Sequence, residues 1–169
     1  TMKAVKGKII HSTEHFERFF HSLELLQFDK PNYLNAAYLQ NQITALLQKN
    51  QHQPFARIRL TLFRGNGGLY DAENHFPNYI IQTWDLNSAN NQLNENGLII
   101  DIFTVSKKAC DNYAHIKSNN YLSYAMAALW AKKNYLNDAL LLNPYDKIAD
   151  ATIANVFIVQ NGIIKTPAV

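Results

Sequence analysis

The chain is poor in charge, glycine, proline and cysteine. Charged residues make up 17% of its 169 positions, against about a quarter in ordinary soluble domains, and this excludes a highly charged disordered polymer. Six glycines and five prolines are too few for a collagenous or linker-like chain. The single cysteine, Cys110, has no partner for an internal disulfide, which fits a reducing, cytoplasmic compartment. No apolar run reaches the roughly 18 residues of a membrane span, and the first residues, Thr1 to Lys8, hold no hydrophobic signal core. Sixteen Lys plus Arg against 13 Asp plus Glu give a net charge of +3. The excess reflects scarce acids rather than clustered bases, since the basic runs stop at the pairs Lys107-Lys108 and Lys132-Lys133. A nucleic-acid-binding face is therefore not expected.

What is present is apolar material, 47% of the chain, enough for a sizeable core. Residues 3–10 read as a short strand turning at Gly7. Ser12 and Thr13 are N-cap types before Phe16, Phe19, Phe20, Leu23 and Leu26, whose spacing predicts a helix over 13–27. A second helix is expected from Asn32 to about Asn50. Residues 55–64 alternate, with Arg57 and Arg59 on one side and Ile58, Leu60 and Leu62 on the other, and read as a strand. A glycine turn, Gly65-Asn66-Gly67-Gly68, follows, and then a strand over 78–86. The asparagine-rich stretch 87–97 reads as a linker and places a domain boundary. Beyond it come a strand at 98–105 and a nearly all-round apolar helix at 118–135, whose pattern implies burial. A strand at 139–142 follows. The chain closes with a β-hairpin over 155–166 whose Asn161-Gly162 turn has the type I′ preference. Both halves mix helix and strand, so the class is α+β.

Three of the four arginines, Arg57, Arg59 and Arg64, lie in or just after one strand. Arginine grips carboxylate or phosphate bidentately, so the cluster points to an anionic ligand, although a solvated strand face explains the spacing more simply. Lys117 precedes an apolar helix, where an amine can be activated as a nucleophile, although a lysine at a helix start is ordinarily just solvated. His11 and His15 lack partners at zinc spacing, and no metal is expected. Neither a nucleophile elbow nor a Walker loop is present.

Four ordered stretches carry more. They are Glu14–Phe19 with Ser22, Arg59–Gly68, Lys117-Ser118-Asn119-Asn120-Tyr121-Leu122, and Asp150–Phe157 continuing through Asn161-Gly162 to Thr166-Pro167. In order and spacing they resemble the class IV aminotransferases, the fold-type-IV enzymes that use pyridoxal 5′-phosphate (PLP). That family includes branched-chain and D-amino-acid aminotransferases and aminodeoxychorismate lyase. The resemblance implies two mixed α/β lobes: a small domain at 1–86, a linker at 87–97, and the first part of a large PLP-binding domain at 98–169. The family normally begins with a further strand and continues well past Thr166-Pro167, so on this resemblance the small lobe lacks its first strand and the large lobe is incomplete.

The same resemblance assigns roles. His15-x-x-Arg18 matches a helix motif whose arginine holds the PLP phosphate. Lys117 matches the lysine that carries the cofactor as a Schiff base and moves the substrate proton. Tyr121 falls near a tyrosine placed beside the cofactor ring, one residue closer to the lysine. Asp150 stands where the family usually has glutamate and would pair with the pyridine nitrogen, one methylene shorter. Thr152 would help position the ring. Arg59 and Arg64 would select a substrate carboxylate. The Arg-x-His trap of D-amino-acid enzymes is replaced by Leu69 and Asp71, which argues against that specificity. The expected function is amino transfer between amino acids and keto acids by a cytoplasmic homodimer. Its alternatives are aminodeoxychorismate lyase, favoured by the Arg64–Gly68 stretch and releasing pyruvate, and a non-catalytic remnant of the family.

Overall fold

The computed structural model describes residues 1–68, 70–88, 92 and 94–167. Leu69 and, within the 87–97 stretch, residues 89–91 and 93 lie outside the described set. The chain divides into two compact units, Thr1–Leu93 and Asn94–Val169.

In the first unit, strands β1 (Met2–Val5), β2 (Lys8–Ile9), β3 (Phe55–Phe63) and β4 (Asn78–Asp85) form a sheet in the order β2-β1-β3-β4. Every neighbouring pair is antiparallel. Register explains the side-chain segregation. Met2 pairs with Ile58 and Ala4 with Ala56, and all four are buried. With a period of two, Arg57 and Arg59 must then face away from that core, and both are exposed. Helices α1 (Ser12–Leu25) and α2 (Ala36–Lys49) supply Phe16, Leu23, Leu39, Ile43 and Leu47 to the same core. At roughly 25 cal/mol per Å² of apolar surface removed from water, this cluster is the main stabilising term of the unit.

Helix starts differ from the sequence expectation. The N-cap of α1 is His11, in a left-handed conformation (φ 53°) with no side-chain cap bond, so neither Ser12 nor Thr13 takes that role. The second helix begins at Ala36 rather than Asn32, because a turn closes first from the Leu34 N–H to the Pro31 carbonyl (3.0 Å). Asn35 then caps the helix, its Oδ1 accepting from the Tyr38 N–H at 3.0 Å.

In the second unit, β5 (Ile100–Phe103) pairs in parallel with β6 (Asp138–Leu142). The crossover carries α3 (Leu122–Lys133), as a parallel pair requires. A strand that the sequence reading omitted, β7 (Ile148–Ala151), adds antiparallel to β6. The core is Phe103, Ala127, Ala131, Ala139 and Leu141. The expectation of all-round burial for the apolar helix is corrected. Its packed stripe is made of small residues, Ala127 and Ala131, while Leu122, Met126 and Leu129 are 72%, 48% and 61% exposed. One helix lying on a three-stranded sheet buries one stripe only. The final hairpin, β8 (Ile158–Gln160) with β9 (Ile163–Lys165), turns through Asn161 and Gly162 at φ 53° and 76°. Both values are positive, as a type I′ turn demands.

Candidate active site

Strand β7 sets Asp150 opposite Leu141 of β6. Its Oδ2 accepts two hydrogen bonds, from Lys108 Nζ at 3.2 Å and from the Tyr124 hydroxyl at 3.1 Å. The Lys108 and Asp150 side chains are 26% and 22% exposed, so this ion pair is shielded by far more protein than a surface pair. Among the described residues, Oδ1 of Asp150 has no hydrogen-bond partner. The Lys108 backbone N–H donates to the Leu142 carbonyl at 2.8 Å, which fixes the root of its side chain against β6.

The electrostatics of the cluster follow from its chemistry. Burial by itself would lower the Lys108 pKa, but the Tyr124 hydroxyl and the Asp150 carboxylate outweigh it and hold the ammonium above its ordinary value. Burial raises the Tyr124 phenol and the Asp150 charge adds to this, against the opposing pull of Lys108. Sequence reasoning named Asp150 but missed both partners. Tyr124 had a usable signal: with Ala127 and Ala131 it forms an i, i+3, i+7 stripe on α3, the stripe that packs on the sheet. Lys108 had none.

The other residues named for this unit lie in three places. Thr152, just after β7, donates its hydroxyl to Asp138 Oδ1 at 2.5 Å and its backbone N–H to the same oxygen at 3.3 Å. It borders a shallow cleft of about 410 Å³ with Asp138, Leu136 and Lys132. Neither Lys117 nor Asp150 lines that cleft. Lys117 is exposed in the turn before α3, where the Ser118 N–H closes on the Ile116 carbonyl at 2.9 Å and Ile116 is buried beneath. Among the described residues its ammonium has no partner. Tyr121 is the N-cap residue of α3 and is 59% exposed.

The arginines belong to the first unit. Arg18, exposed on α1, donates from Nη2 to His15 Nδ1 at 3.0 Å. Burial lowers the His15 pKa and the Arg18 guanidinium lowers it further, which favours the neutral imidazole that can accept that bond. Arg59 is exposed on β3, and its side chain has no partner among the described residues. Arg64 is engaged instead. It donates to the Leu26 carbonyl and to His75 Nδ1 at 2.7 Å, and its guanidinium lies 4.4 Å from the Phe28 ring centroid. Arg57 stacks over Trp84 at 4.5 Å. Beyond Arg64, Gly67 (φ 154°) sits where an added Cβ would come 2.3 Å from the Asp71 carbonyl. Only glycine allows that approach.

In the second unit an accessible amine, Lys117, and a half-buried carboxylate, Asp150, with one oxygen open among the described residues fit PLP in kind. In the first unit Arg18 offers a guanidinium on a helix, suited to a phosphate. No group of three or more His, Cys, Asp or Glu side chains suited to a metal ion occurs among the described residues, and no helix among them is long and apolar enough to cross a membrane.

The family described as Amino-transferase class IV matches residues 1–169. Branched-chain-amino-acid aminotransferase-like protein 1 of Arabidopsis thaliana is 27% identical over 175 residues, covering 98% of this chain and 30% of that protein. The branched-chain amino acid aminotransferase of Thermobaculum terrenum, solved in its PLP holo form, superposes with a TM-score of 0.79 at 21% identity, covering 98% of this chain and 56% of that one. A Legionella pneumophila protein named provisionally as 4-amino-4-deoxychorismate lyase superposes with a TM-score of 0.81 at 20% identity, covering 98% and 59%. The chain thus spans between about a third and three fifths of the proteins it matches. With the whole of its length matched, the chain belongs to the class IV aminotransferase family.

Proposed function

We propose that the protein is a PLP-dependent enzyme that moves an amino group between amino acids and keto acids. The observation that carries the reading is Asp150: a half-buried carboxylate with one oxygen held by two donors and the other open. When bound, PLP supplies an aldehyde that takes up amines and a ring that withdraws electrons from the substrate α-carbon. The chain's own residues do the rest. On the family resemblance, Lys117 would be the residue that carries the cofactor through Nζ and, when not so engaged, would hold and return the α-proton. On the same resemblance, Asp150 Oδ1 would accept from the ring nitrogen, Thr152 and Tyr121 would help position the ring, and Arg18 would hold the phosphate. Of Arg59 and Arg64, both expected to take the substrate carboxylate, Arg59 has all its donors open among the described residues, whereas Arg64 is held by the Leu26 carbonyl and His75 and would have to release them to do so. The domain division at 87–97, read from composition, the cytoplasmic compartment, read from the single cysteine, and the homodimer expected from the family resemblance belong to the same proposal.

The test compares the full-length protein with its Lys117→Ala variant. The wild type should take up PLP stoichiometrically, with a visible absorbance band that the variant lacks, and borohydride reduction should leave the cofactor on Lys117. A wild type without the band, or a variant that keeps it, refutes the proposal, and absence of PLP uptake favours a non-catalytic remnant. The Arg64–Gly68 turn and the Legionella neighbour favour a second reading, elimination of pyruvate from aminodeoxychorismate. Pyruvate release measured against keto-acid-dependent amino transfer separates the two.

A further inference from the structure

Asp150 is one methylene shorter than the glutamate usual at its place, and a short carboxylate on a strand end must be aimed by its surroundings if it is to meet a ring nitrogen. The structure shows two donors on this carboxylate. Lys108 Nζ and the Tyr124 hydroxyl converge on a single oxygen, Oδ2, at 3.2 Å and 3.1 Å. They come from different elements, a loop pinned to Leu142 and the packed stripe of α3. Two donors on one oxygen fix the carboxylate plane and leave Oδ1 as the acceptor. We propose that Lys108, acting with Tyr124, is a positioning residue that holds Asp150 in the orientation needed to receive the cofactor's ring nitrogen.

This inference rests on the PLP reading above. It is more than a surface ion pair. Exposed Lys–Asp pairs contribute little because water and salt screen them, whereas both members here are about three-quarters covered. Removing one partner of such a pair leaves the other mispaired and free to swing. Partners that orient a ligand-holding side chain typically matter about tenfold or more to the affinity of the group it holds. The Lys107–Asp146 pair next door, at 2.5 Å, is an internal contrast, with its side chains 38% and 72% exposed and, among the described residues, no further donor on the carboxylate.

The experiment uses full-length protein and two readouts. First, the Tyr124 phenol is titrated without PLP, as the alkaline absorbance difference between each background and its Tyr124→Phe counterpart. It should titrate above the ordinary tyrosine value, higher still in Lys108→Met and lower in Asp150→Asn. Second, the PLP dissociation constant is measured by fluorescence quenching. Lys108→Met should raise it about tenfold and Lys108→Arg should restore it to within about threefold, with the urea midpoints of both variants compared to the parent. A Tyr124 titration that neither variant moves overturns the cluster. Equal PLP affinity in wild type and Lys108→Met overturns the positioning role while leaving the proposed function standing. No PLP uptake by the wild type overturns both, and the titration then shows whether the cluster itself exists.

Discussion

Arg64 and Arg59 lie five residues apart on and after one strand, yet the structure gives them different work, and replacing each in turn with methionine separates the two. Methionine keeps most of the apolar stem and removes the guanidinium. At Arg64 this deletes a cation–π contact with Phe28 at 4.4 Å, worth about 0.5–1 kcal/mol at a partly exposed site. It also deletes the bonds to the Leu26 carbonyl and His75, each worth roughly 0.5–1.5 kcal/mol net. Solvent can replace part of this, so the expected loss is about 2 kcal/mol, or about 30-fold in the unfolding equilibrium. Arg59→Met removes no contact among the described residues and should stay within about 0.5 kcal/mol of the parent. The assay is urea unfolding followed by tryptophan fluorescence. The chain has two tryptophans, Trp84 on β4 in the first unit and Trp130 on α3 in the second, so a Trp130→Phe background reports the arginine-bearing unit alone. An Arg64→Met variant as stable as its parent, or an Arg59→Met variant that loses as much, would refute the reasoning.

Two further outcomes follow from caps and phenols. Asn35→Ala should cost about 1 kcal/mol, since its Oδ1 caps the Tyr38 N–H, while Ser12→Ala should be nearly silent because α1 has no side-chain cap; thermal melts of the pair check this. Tyr79 accepts or gives a hydrogen bond with the Tyr38 hydroxyl at 2.8 Å, and that bond together with burial pushes its phenol up to about 12. The folded value exceeds the unfolded one, so the stabilisation is whole below pH 10 and is lost as pH rises from about 10 toward 12. The urea midpoint should fall across that window, and more shallowly in Tyr79→Phe; equal slopes would contradict the account.

Local rules made parts of both units readable. The alternation from Phe55 to Phe63 sets which face each arginine takes, and Asn161-Gly162 sets a turn with two positive φ values. Where context decides, the same rules fall short. Strand β7 exists because β6 offers it an edge: Ile148-Ala-Asp-Ala has little strand propensity of its own. The apolar count of α3 says nothing about how much neighbouring structure will cover it. Asp150, Lys117 and Arg18 were named through resemblance, since composition and spacing alone left the lysine an ordinary helix-start residue. Of the partners of Asp150, Lys108 could not be read at all, because it is 42 residues away in sequence and only the folded sheet joins them.

That separation orders events in time. Strands β6 and β7 are joined by a turn, closed by the Asn143 N–H on the Lys147 carbonyl at 2.8 Å, so Asp150 can reach its place through local contacts. Lys108 reaches it only after the β5–α3–β6 crossover has closed, and non-local pairing of that kind is the slow part of folding. The carboxylate should therefore be in position before its ammonium arrives, and the ion pair should be among the last contacts of the unit to form and among the first to open.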